Sequence, residues 1–243
     1  MKFSIKHYGS LPEKVQDKIG KSLLHSEAWD LLRTQDDSGF YGLKDDRDWF
    51  LEVCNHSLND SIFKELENQI CRLNITKLFS VGVGRAVLEY NIKSRNEKLE
   101  MVCSYYTPQS IARLRNVFPE CDKIILFDIL NGSWNEYSKY TILMNRISTE
   151  FSISQWRNIF KLMYENQIAG VLFIPTEDLT IKLAIKEKII NFRELIKGNK
   201  LIDCGRMYSR EMIISFWDTY YNLSSESKIG NTSIYYLERN KSV

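Results

Sequence analysis

A short apolar run that ends on two glycines constrains this chain more than any other feature. Leu78-Phe-Ser-Val81 leads into Gly82-Val-Gly84, and Ala86 to Ile92 then reads as a helix. In a turn of this kind the backbone, not a side chain, meets a ligand. Glycines let the chain turn tightly and let a ligand approach the main chain. The free amides that open the following helix point at that ligand. In open α/β sheets, ligands bind at such strand ends.

The rest of the chain from Lys77 keeps the same rhythm. Apolar runs at Leu78 to Val83, Leu99 to Tyr105, Lys123 to Ile129, Tyr140 to Met144 and Gly170 to Pro175 predict strands. Between them lie helical patterns. Thr107-Pro108 opens one: Thr caps, and Pro sits where no amide donor is needed. Ile111, Leu114, Val117 and Phe118 form its buried face. Ser152 to Gln167 predicts another, with Ile153, Trp156, Ile159, Phe160 and Met163 inward. Leu179 to Ile196, stopped by Gly198, and Ser209 to Tyr220 predict two more. Two closing segments, Tyr221 to Ser227 and Thr232 to Glu238, flank Lys228-Ile-Gly-Asn231 and predict a hairpin. Alternating strands and helices imply a mostly parallel sheet with helices on both faces. The hairpin adds an antiparallel strand at or near one edge.

Residues 1–75 differ in pattern. Helical periodicity at Leu11 to Leu32 and at Trp49 to Leu73 flanks a polar stretch, Thr34 to Asp48, rich in Asp and Gly. The expected organisation is an N-terminal helical cap over 1–75 and a Rossmann-like binding domain over 76–243. The loop is a candidate lid, with Tyr8, His25, Phe40 and Tyr41 as minor candidates for substrate contact. The net charge of +2 comes from cations spread among acids, which disfavours nucleic-acid partners. No apolar run approaches a membrane span, and the first residues do not read as a signal peptide, so a cytoplasmic protein with no membrane partner is expected. Five widely spaced cysteines and three scattered histidines predict neither disulfides nor a metal site. The cysteines read as small buried residues.

Two cofactor classes fit a strand–glycine–helix unit. A dinucleotide site needs G-x-G-x-x-G/A, and counting from Gly82 places branched Val87 third. Tyr105 stands where the acid that holds the ribose is required. From Leu78 onward the chain instead resembles the class I S-adenosylmethionine-dependent methyltransferases. Their first motif, acidic-x-Gly-x-Gly-x-Gly, is matched by Ser80, Gly82, Gly84 and Ala86. Their second strand commonly ends in Asp-x-Ser-Pro, matched by Tyr105-Tyr106-Thr107-Pro108, and Asp128 follows the third strand.

The resemblance implies a seven-stranded, mostly parallel Rossmann-like sheet and S-adenosylmethionine as cofactor, with S-adenosylhomocysteine as product. It places Ser80, Gly82, Val83 and Gly84 at the methionine end, Tyr105 and Tyr106 beside the ribose and adenine, Asp128 and Ile129 at the adenine amino group, and Asn145 with Arg146 at the transfer site. It implies direct methyl transfer to a small-molecule acceptor, and it singles out no catalytic base. Ser80 and Tyr105 depart from the acids of the pattern. A binding or scaffold protein of the same fold without activity is therefore the alternative, and a dinucleotide oxidoreductase a third, disfavoured by Val87.

Overall fold

The structure is a computed structural model that describes residues 1–9, 28, 31–33, 42–57 and 60–241. Most of the Leu11 to Leu32 pattern, and His25, Phe40 and Tyr41, lie outside the described residues; 28 and 31–33 are helical. The chain runs β1 (Ser4–Gly9), α1 (Arg47–His56), α2 (Ser61–Arg72), β2 (Lys77–Val81), α3 (Val87–Arg95), β3 (Glu100–Tyr105), α4 (Pro108–Val117) and β4 (Lys123–Leu126). A 3₁₀ turn (Asn135–Tyr137) precedes β5 (Thr141–Asn145). Then come α5 (Ile153–Glu165), β6 (Gly170–Ile174), α6 (Ile181–Ile196), β7 (Ile202–Tyr208), α7 (Arg210–Ile214), β8 (Tyr221–Ile229) and β9 (Thr232–Arg239).

Seven strands form one sheet in the order β4-β3-β2-β5-β6-β9-β8. The pairs from β4 through β6 are parallel, and β9 runs antiparallel to both β6 and β8. This is the mostly parallel sheet with one reversed strand near its edge that the sequence predicts.

Side chains alternate between the two faces, because successive residues of a strand point opposite ways. Phe79, Ile142, Met144, Val171 and Phe173 pack one way, against Trp156, Phe160 and Met163 of α5 and against Phe216 and Trp217. Leu78, Met101, Cys103, Leu143 and Leu172 pack the other way, against Phe50, Leu66, Ile92, Ile111 and Leu114 of α1 to α4. Thr107 caps α4 by accepting from the Ser110 amide. Ser152 and Gln155 close a reciprocal capping box on α5.

Several boundaries differ from the sequence pattern, each for a local reason. The Trp49 to Leu73 pattern is two helices, because Asp60 accepts from the Ile62 amide and starts α2 afresh. The Ser209 to Tyr220 pattern stops at Ile214. Phe216 and Trp217 donate to the carbonyls three residues back, and this tighter winding lets both neighbouring rings enter the core. β4 ends at Leu126, before Asp128 folds into a turn.

β1 and β7 carry no clean alternation, and they form a separate two-stranded antiparallel sheet. Of the cysteines, Cys54 and Cys103 are buried as expected, whereas Cys71 is exposed; all five are free. Among the described residues no helix is long and apolar enough to cross a membrane.

Candidate functional site

The strand order doubles back between β2 and β5. From β2 the chain steps outward through β3 to β4, then returns to β5 on the other side. The carboxyl ends of these two strands therefore leave a crevice that no crossover helix covers. A cleft of about 790 Å³ opens there, within the size range of small-molecule and cofactor sites. The glycine loop, the ends of β3, β4 and β5, and the start of α2 line it.

The loop is shaped by three successive left-handed residues at alternate positions. Gly82 has φ +70°, Gly84 +52° and Ala86 +62°. The amides of Gly82 and Val83 both donate to the Ser104 carbonyl, at 3.0 and 3.2 Å, which ties the loop to β3. A Cβ on Gly82 would stand 3.2 Å from the Ile147 side chain. Ala86 is the N-cap of α3 and makes no side-chain cap bond. Of the opening amides, that of Glu89 bonds its own carboxyl, and no cap side chain takes those of Val87 and Leu88. An alanine held in the left-handed region costs about 1–2 kcal/mol. Ala86→Gly is expected to raise the unfolding free energy by about 1 kcal/mol in urea denaturation.

Nine of the ten sequence-predicted residues meet at this cleft: Gly82, Val83, Gly84, Tyr105, Tyr106, Asp128, Ile129, Asn145 and Arg146 all line it. Ser80 does not. It is fully buried, and its hydroxyl donates to Glu89 Oε1 at 2.7 Å. Glu89 sits in the first turn of α3 and lines the cleft while only 1% exposed. Burial pushes its carboxyl up to about 7, partly offset by the Ser80 hydrogen bond. A carboxyl group thus stands beside position 80, supplied by a residue nine positions later in the chain. The i-to-i+9 reach from strand to helix was the available signal, but it is visible only once the loop conformation is known.

Tyr105 and Tyr106 stack with ring centroids 4.8 Å apart. Tyr105 is buried, and burial raises both phenols, so each stays a neutral donor. Arg33 lines the same wall and bonds the Tyr105 hydroxyl. Asp128 is exposed and both its oxygens are engaged in its own turn: Oδ1 accepts from the Leu130 amide at 2.9 Å and Oδ2 from Asn131 Nδ2 at 2.8 Å. It shapes the turn that carries Ile129 into the cleft wall. Tyr8 lies on β1 and is not part of the lining.

A second carboxylate escaped the sequence reading. Glu150 lies on the loop after β5 and lines the cleft. Burial pushes its carboxyl up to about 7, with Arg33 pulling it back down. The loop is held from behind. Trp156 Nε1 donates to the Ser148 carbonyl at 3.1 Å, the Arg206 amide of β7 donates to the Thr149 carbonyl at 3.0 Å, and the Tyr208 hydroxyl donates to the Phe151 carbonyl at 2.7 Å. Hence the small β1/β7 sheet, which no local pattern announced, positions an ionisable group at the site. Among the described residues no cluster of His, Cys, Asp and Glu could hold a metal.

The sequence matches no family profile and no curated protein. Solved structures do match. Human N-acetylserotonin methyltransferase in complex with S-adenosylmethionine superposes over 94% of this chain and 65% of its own, with a TM-score of 0.58 at 10% identity. The chain has the class I methyltransferase fold. This methyltransferase-fold chain is also similar to the magnesium protoporphyrin IX methyltransferase of Synechocystis with bound S-adenosylhomocysteine, over 79% of this chain and 88% of that one, with a TM-score of 0.56 at 9% identity. It matches the pyocyanin biosynthetic protein PhzM over 87% of this chain and 61% of that one, with a TM-score of 0.57 at 14% identity. It spans less than two thirds of the length of the human enzyme and of PhzM.

Proposed function

We propose that this chain is an S-adenosylmethionine-dependent methyltransferase acting on a small-molecule acceptor. The observation that carries the reading is the buried Glu89–Ser80 pair beneath the left-handed glycine loop, at the reversal of strand order. It supplies the acid that the sequence pattern lacks. The residues present fit the cofactor. A buried carboxylate suits its cationic sulfonium and ammonium, uncapped helix amides suit its carboxylate, and the Tyr105–Tyr106 pair with Ile129 offers flat and apolar surface to a purine.

When bound, the cofactor supplies a methyl group on an already activated sulfonium. The chain's own part is to align and to exclude water. Asn145 and Arg146, at the end of β5, border the position of transfer. Arg146 holds φ +59°, a conformation kept by its amide bond to the Ile174 carbonyl at 2.8 Å. Glu150, with its carboxyl near 7, is placed to accept the proton that a hydroxyl or amine acceptor gives up. Ser57, Asp60 and Ile62, at the junction of α1 and α2, close the far side and face the acceptor.

Titration calorimetry tests the cofactor. Saturable binding of S-adenosylmethionine and S-adenosylhomocysteine is expected, with none for NAD. Gly84→Val is expected to abolish binding while helical circular dichroism persists, since a β-branched residue resists φ +52°. Binding of NAD in place of both sulfur compounds would sink the reading. Cofactor binding without turnover on any acceptor would favour a binding protein of the same fold.

A further inference from the structure

Helix α6 is turned the wrong way round for a helix of a water-exposed fold. None of its 16 residues is buried. Ile181, Ile185, Ile189, Phe192 and Ile196 fall within an arc of about 80° at 3.6 residues per turn, and all five are exposed. Four of them expose between 55% and 70% of their surface. The opposite side carries Leu183, Ala184, Glu187, Asn191 and Glu194, and these are the half-buried positions. Glu187 Oε2 lies 3.4 Å from His7 Nδ1 on β1. The helix thus turns both its acids, with Leu183 and Ala184, toward the protein and its large apolar stripe to solvent. A contiguous apolar stripe of this kind on a surface marks an interaction site.

Charge decides what it meets. Lys182, Lys186 and Arg193 border the stripe on one side and Lys188 on the other. Among the described residues none of these four makes an ion pair, and Lys197 is paired with Glu194. Both acids of the helix point inward, so the outward face is apolar and cationic without an acid. Two copies meeting on this face would set four uncompensated cations against four. Lysine stems that flank an apolar stripe on both margins suit a flat interface instead: the stripe sinks among acyl chains and the ammonium groups reach the phosphates. We infer that α6 is an anchor for an anionic lipid surface, lying in the plane of the bilayer with Phe192 and its four isoleucines immersed. This departs from the sequence expectation of no membrane partner, and it is independent of the proposed chemistry in the cleft.

Vesicle flotation of the full chain tests it. Vesicles of equal parts phosphatidylglycerol and phosphatidylcholine are expected to carry the protein, and pure phosphatidylcholine vesicles much less. High salt is expected to release it. Lys182→Gln with Lys186→Gln is expected to weaken binding roughly twenty-fivefold, at about fivefold per cation near the surface. Ile185→Ser with Phe192→Ser is expected to abolish flotation; both side chains are exposed, so circular dichroism and melting should hold. The inference is overturned if anionic and neutral vesicles bind alike, or if the serine variant still floats. It is equally overturned if sedimentation velocity shows a dimer that the serine variant dissociates while no vesicle binds, which would assign the face to a second copy.

Discussion

Glu150→Gln is expected to lower kcat by about 10²–10⁴-fold for an acceptor that must lose a proton, the usual contribution of a positioned base. The affinity for S-adenosylmethionine is expected to stay near that of the wild type, since Glu150 lies on the loop beyond β5 rather than beneath the glycine loop. The pH profile separates this from a structural effect. A base must be unprotonated to act, so wild-type kcat should rise as pH climbs through about 7, where burial holds this carboxyl. In the glutamine variant that limb should vanish. An unchanged kcat, or a surviving limb near 7, would remove Glu150 from the mechanism. A fall in kcat with the limb intact would make it a packing residue. The substitution keeps shape and volume, and the loop's anchors to Trp156, Arg206 and Tyr208 use backbone carbonyls. Folding is therefore expected to survive.

Glu89→Gln is expected to do two opposite things. The folded-state carboxyl titrates at about 7 against an ordinary value of 4.5. The folded protein therefore keeps a proton that the unfolded chain has already released. The stabilising contribution of the neutral acid is complete below about 4.5 and is lost as pH rises through 7. The loss amounts to about 3 kcal/mol once both states are ionised. Glutamine carries no such penalty. The ligand-free variant should match the wild type near pH 4 and exceed it by about 3 kcal/mol at pH 8, read from urea denaturation. Its affinity for S-adenosylmethionine should nevertheless fall about 10–100-fold at pH 8, the worth of a hydrogen-bonded charge. A protein that is stabilised by losing the residue its ligand needs is the signature of a charge buried for function. Equal stability at pH 8 would show that the carboxylate is not desolvated. Unchanged affinity would show that it does not face the ligand.

The two carboxylates also mark where the sequence stops informing. Local patterns sufficed for the sheet and its helices. Apolar runs, the Thr107-Pro108 start and the Gly198 stop each act over a few residues, and each is a short-range steric or hydrogen-bonding effect. The cleft was legible for the same reason. Gly82, Gly84, Tyr105, Asn145 and the Asp128 turn all sit at strand ends, and in a doubly wound sheet strand ends converge.

What depended on distance was not legible. Ser80 reads as a lost acid until the left-handed turns through Gly82, Gly84 and Ala86 fold α3 back and bring Glu89 within 2.7 Å of it. Glu150 looks like one more loop acid until β7 pairs with the first residues of the chain and pins the loop from behind. The sequence by itself determined the alternating strand–helix order, the tight strand–helix turn at Gly82-x-Gly84 and the apolar faces that build the two halves of the core, because period and turn chemistry are properties of neighbours. Only the tertiary structure decided which carboxylates face the cleft, and which way α6 turns its isoleucines. Both follow from contacts between residues far apart in sequence: Ser80 with Glu89, β7 with β1, and Glu187 of α6 with His7.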